Sequence, residues 1–130
     1  MTKKLSFGAY VAATAIALVL FPFLAARGDV NAAVSYLGTK SPNPWVSMAL
    51  VAAEQSPNVD YLKTVSVSKA VDLEAPILAL TAAGKDPRTF GNTDLVASLT
   101  SFASAGQIGD PTILNDDIFG ILALSSAGVP

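Results

Sequence analysis

The chain has no cysteine and no histidine. Those two absences exclude a disulfide, a thiolate nucleophile, an imidazole base and any Cys/His zinc centre. A metal site could use oxygen ligands alone. Without histidine no ordinary serine triad can form. Aromatics are sparse as well, with one Trp, three Tyr and six Phe in 130 residues. A cluster of basic residues is also missing. Beyond residue 28 only Lys40, Lys63, Lys69, Lys85 and Arg88 stand against ten carboxylates. An acidic body of this kind argues against nucleic acid, whose binding depends on neutralising phosphates.

What the chain has in abundance is apolar residues, 52% of the total against 14% charged. Such a composition excludes disorder for most of the chain, and the length fits one domain. Part of the apolar excess lies at the start. Lys3 and Lys4 precede an uncharged run from Leu5 to Ala26. As a helix it would extend about 33 Å, enough to cross a bilayer core of about 30 Å. Basic residues before it favour a cytoplasmic N-terminus. A signal peptide has the same layout, and Ala26-Arg27-Gly28 supplies small residues for cleavage. Signal peptide and retained membrane anchor both stay open for residues 1–28. Either reading makes residues 29–130 an extracytoplasmic domain, secreted or anchored through residues 5–26. No Cys follows the run, which excludes lipoprotein anchoring.

Three later segments resemble one another: Pro44–Ala53, Ala75–Gly84 and Asp117–Gly128. Ala49-Leu50, Ala79-Leu80 and Ala123-Leu124 align within them. Each is apolar nearly all round, so each is expected to be a buried helix. Gly120 weakens its helix and points to a close contact. Asn43-Pro44 reads as an N-cap and first helical residue, and Asn115 or Asp116 can cap the third helix. Gly84 and Gly128 stand where a left-handed terminating residue belongs. Amphipathic mates lie between: Val30, Val34 and Leu37; a short segment from Val59 to Val65; and Leu95, Leu99 and Phe102 capped by Thr93 or Asp94. Thr64–Ser68 alternates, but it has no evident partner strand. The expected architecture is all-α: helical-hairpin repeats, apolar members inside and amphipathic members outside.

Ala79–Gly84, Lys85-Asp86-Pro87-Arg88, Asp94-Leu95-Val96, Gly106–Asp110, Asn115-Asp116, Phe119 and the Ala123-Leu124 segment together carry a family likeness. Residues 30–130 resemble the terpene cyclase/prenyltransferase repeat of the α/α-toroid superfamily, most closely over 75–128. The resemblance implies inner helices around a cavity, with active groups near the loops that enter them. It also implies part of a toroid, because three helix pairs cannot close a ring. Self-association or a partner protein would complete it. The departures are specific. Asn115-Asp116-Asp117 falls short of the Asp-x-Asp-Asp acid of squalene cyclase-like enzymes. The prenyltransferase zinc site and the complement-type thioester both need residues this chain lacks.

The candidate ligand contacts are Trp45, Glu74, Gln107, Asn115, Asp116 and Asp117, and none is assigned as catalytic. Each also has a plainer role. The carboxylates fit helix starts, Gly106–Asp110 fits a turn, and Trp45 fits core burial. No cofactor is implied. The functional expectation is a non-enzymatic binding or interaction module, with an apolar small molecule or a partner as ligand. The alternative is a divergent terpene cyclase-like enzyme acting in a larger assembly.

Overall fold

The computed structural model describes residues 30–130, so the signal or anchor expected over residues 1–28 lies outside the described residues. Among the described residues, no helix is long and apolar enough to cross a membrane. The described part is mostly helical, as expected of an all-α chain. Residues 30–38 form α1, which closes with Thr39 N and Oγ1 donating to Tyr36 O at 3.1 and 2.7 Å. It belongs to a separate compact unit from Lys40–Pro130.

The second unit begins with α2 (Pro44–Ala52). Asn43 Oδ1 accepts from Val46 N at 3.0 Å, and Pro44 takes the first helical position, as the sequence foretells. The expected short helix is a 3₁₀ turn, Asp60–Lys63, which plants Leu62 in the core. Thr64–Ser68 is loop. Next comes α3 (Val71–Ala82). It starts a full turn earlier than its apolar run, so Asp72 and Glu74 sit within it and do not cap it. Pro76 lies inside the helix and removes one backbone bond. Complete burial of Leu73, Ile77 and Leu80 offsets that loss; each, cut to Ala, would cost about 2–5 kcal/mol. Asp94 Oδ1 accepts from Ala97 N at 2.9 Å to start α4 (Leu95–Thr100). A minimal antiparallel hairpin, β1 (Ala103–Ser104) and β2 (Gln107–Ile108), then leads to α5 (Leu114–Ser126).

The three helices end in the same way. Leu50 O accepts from Gln55 N, Leu80 O from Lys85 N and Leu124 O from Val129 N, at 2.9, 2.9 and 3.0 Å. These are the same six-to-one closures of a Schellman motif, in the same register. The residue in the left-handed conformation is Glu54 (φ 59°), Gly84 (φ 68°) and Gly128 (φ 75°) respectively. The aligned Ala-Leu pairs of the sequence are therefore equivalent along their helices.

α3 packs against α2 on one flank and α5 on the other, and α4 covers α3 and α5. Side chains fix the faces. Val51 and Ala82 line one groove between α2 and α3. Thr81 Oγ1 and Ser126 Oγ lie 3.1 Å apart between α3 and α5. Each junction thus meets at matching repeat positions, and the three helices run parallel. The core lies between this layer and the elements around Val59, Leu62, Leu95, Leu99 and Ile108.

One expectation needs correction. α3 alone is buried over most of its surface, with Val71 and Ala82 exposed near its two ends. α5 leaves Leu114, Ile118, Ile121 and Leu122 exposed, and α2 leaves Trp45, Ala49 and Ala52 exposed. These are the outermost helices of the layer and have a neighbour on one flank alone.

Glu54 is the one terminating residue of the three with a Cβ, and a left-handed L-residue costs about 1–2 kcal/mol. Glu54→Gly is expected to stabilise the protein by roughly 0.5–1 kcal/mol, after the added unfolded-state entropy of glycine. Gly84→Ala, with open space around the added methyl, should destabilise it by about 1 kcal/mol. Urea melts of the full chain measure both. A stability loss in Glu54→Gly would contradict the repeat register at α2.

Candidate functional site

The densest polar chemistry lies where the hairpin meets α5. Ala105 (φ 53°) and Gly106 (φ 80°) make a two-residue turn with both residues left-handed, the tightest link two twisted strands allow. It delivers Ile108 onto α5. A methyl added at Gly120 would come within 2.9 Å of the Ile108 side chain, which is the close contact expected at that glycine. Asp117 Oδ1 then accepts from Ile108 N at 2.8 Å, and Asp116 Oδ2 from Asp110 N at 3.0 Å. The carboxylates opening α5 therefore clamp the incoming hairpin. They do not cap their own helix, whose N-cap, Ile113, makes no side-chain bond. Gly109 (φ 74°) is required here twice over, because a Cβ would also lie 2.5 Å from Asp116 Oδ2.

Asp110 shapes the same loop. Its Oδ1 accepts from Thr112 N at 2.9 Å and from Thr112 Oγ1 at 2.7 Å. The backbone bond first, then the hydroxyl, holds this carboxyl below its usual range.

Glu74 is the outlier. It is 4% exposed, on the flank of α3 that faces α5, and its Oε1 has no hydrogen-bond partner. Burial, with the Asp116 charge adding to it, raises its pKa to about 7. Glu74 and Asp116 are thus brought together across the α3–α5 junction. Asp117 joins them through the hairpin. Gln107 is exposed on β2, opposite Ser104. Asn115 is exposed and lines an open groove of about 670 Å³ with Lys69, Val71, Phe102, Pro111 and Ile113. Among the described residues no group of three or more metal-binding side chains could hold an ion.

Trp45 belongs elsewhere. The expectation of core burial fails, for it is 55% exposed. Its ring meets the edge of Phe119 at 5.7 Å between centroids, with planes at 77°. These are equivalent repeat positions. The third is Ala75, on the helix between them, and its small side chain leaves room for the tryptophan to reach across. By helical spacing Val71 and Leu78 share a face with Ala75, and Leu122 shares one with Phe119, which makes this side of the three helices apolar. Phe119 was legible as a motif residue, but its pairing with Trp45 was not, because it depends on two helices far apart in sequence.

Comparisons with protein-family models, with curated proteins and with solved structures find no match to this chain.

The Glu74 shift makes folding pH-dependent. A carboxyl whose pKa is higher folded than unfolded binds extra protons in the native state between pH 4.5 and about 7. Stability therefore falls as pH rises through that window, by an amount on the order of 3 kcal/mol. Glu74→Gln should flatten this part of the profile and raise the melting temperature at pH 8 by several degrees. Thermal melts from pH 4.5 to 8 test it. A wild-type profile that rises across the window would contradict the account.

Proposed function

We propose that this protein is an extracytoplasmic, non-enzymatic binding module whose helical hairpins are arranged as in part of an α/α toroid, and that its ligand is an apolar small molecule. The observation that carries the reading is the apolar face of the parallel helices. A half-exposed tryptophan set edge-on against Phe119, with Val71 and Leu122 also about half exposed, keeps a large apolar surface in water. Uncovered surface of this kind marks a place where something binds. The terpene cyclase/prenyltransferase-like repeat supports the same side of the layer, since the toroid cavity is lined by the inner helices. The basic-then-apolar start of the chain supports export, with the N-terminal segment either cleaved or kept as an anchor.

The unpartnered Glu74 favours a second reading. A buried carboxyl protonated near neutral pH is what a divergent cyclase-like enzyme would need as an acid. Incubation with squalene separates the two, because cyclised product lost in Glu74→Gln would establish the enzyme.

Trp45 is the only tryptophan, so its fluorescence reports on this face alone. Titration with a soluble isoprenoid alcohol such as farnesol is expected to shift its emission to the blue and to saturate. Leu122→Glu should weaken the response at least tenfold, about 1.4 kcal/mol. An emission spectrum unmoved by farnesol in the folded wild type would refute the ligand class.

A further inference from the structure

The repeat register shows that the two ends of the helical layer are unequal and complementary. Ile77 of α3, between the core face and the α5 flank by helical spacing, is fully buried, and its equivalent in α2, Ser47, is 2% exposed with its Oγ 2.9 Å from the Tyr61 hydroxyl of the 3₁₀ turn. The equivalent in α5 is Ile121, which is 61% exposed. The opposite flank behaves in the reverse order. Ala79 and Ala123 are fully buried where α3 meets α2 and where α5 meets α3, while the equivalent Ala49 on α2 is exposed. Two junctions of one kind therefore exist within the chain, and one unfilled half of that junction remains at each end. The α5 half is a stripe of large side chains, Leu114, Ile118 and Ile121, at the spacing of one helix face. The α2 half is Ala49 and Ala52, small enough to let a facing helix approach closely.

We propose that the α5 edge of one copy docks on the α2 edge of a second copy, head to tail, continuing the α2–α3 and α3–α5 junctions between molecules. The occupant is a second copy because, among the described residues, the α2 edge is the surface shaped like the missing next repeat. Charge raises no obstacle. By register Ile118 stands where Glu74 stands in the α3–α5 junction, and Pro42 where Asp116 stands, so the intermolecular joint buries no carboxyl pair. The contact is heterologous, so each dimer keeps one free edge of each kind, and addition continues until a ring closes or a filament grows. This inference rests on the repeat register and not on the apolar face; it would stand even if farnesol bound nothing.

The absence of cysteine makes the test direct. Full-length Ala49→Cys and Ile121→Cys chains, kept in a mild non-ionic detergent, are treated with a short bismaleimide singly and as an equal mixture. Thr100→Cys on α4 serves as the exposed control, and circular dichroism establishes that each variant is folded. The mixture is expected to give at least fivefold more covalent dimer than either variant alone or than mixtures containing the control. Adding Ile121→Glu to the Ala49→Cys chain should leave that yield intact, because its α2 edge is unaltered. Equal dimer from Ile121→Cys alone would reveal a two-fold symmetric contact and overturn the proposal. So would a mixture yield no higher than the control across a tenfold concentration series.

Discussion

α3 has no polar face, and that constraint organises the rest of the unit. Leu73, Ile77 and Leu80 share one face of the helix and Ala79 points to another, and all four are removed from water. A helix of this kind can exist only where other elements cover it on nearly every side. α2 and α5 supply the flanks, and α4 with the 3₁₀ turn supplies the back. Burial of those four side chains outweighs a proline placed inside the helix and a carboxyl with an unsatisfied oxygen. Either would break a less well-covered helix.

The flanking helices obey the same pattern with half the cover. Their sequences are nearly as apolar as α3, so composition alone made them look like core. The difference lies in position, since a parallel layer has an interior and two edges. Repeat architectures meet this problem with polar capping repeats. Here the outer edge of α2 presents alanines and that of α5 leucine and isoleucine, which is the opposite of capping. The same reasoning explains the terminations. All three helices close with one Schellman geometry, although glycine stands at the left-handed residue in only two of them.

Legibility in the sequence followed the range of the interaction. Local devices were readable: Asn43 before Pro44, Asp94 before α4, the glycines ending α3 and α5, and the crowding at Gly120. Each depends on residues a few positions apart. The three equivalent apolar helices were readable too, because self-similarity needs no tertiary information. The first turn of α3 was hidden by Pro76, which looks like a start signal. The hairpin was hidden because its strands are two residues each and its turn uses a left-handed alanine. The candidate site was the least readable part. Asp116 and Asp117 looked like caps because carboxylates at helix starts usually are. Only the folded hairpin shows their acceptor oxygens taken by Asp110 N and Ile108 N. Trp45 looked like core because nothing local says which face of an apolar helix is left open.

The departures from the repeat are more informative than the repeat. Pro44, Glu74 and Ile118 share one position, and so do Trp45, Ala75 and Phe119. A sequence selected only for packing would place an apolar residue in the middle of the layer, where cover is most complete. It would place polar residues at the edges. At the first of these positions the order is inverted. A carboxyl is buried in the centre beside a second carboxylate, and isoleucine faces water at the end. Local choices that conflict with the fold's own logic raise its energy, and they persist where something other than stability holds them. At the second position the inversion is of size: aromatic rings flank an alanine and meet across it over the uncovered face. Both inversions involve the same pair of neighbouring positions on all three helices. The N-terminal half of each of these three helices is therefore where this chain gives up packing efficiency, and where its function should be sought.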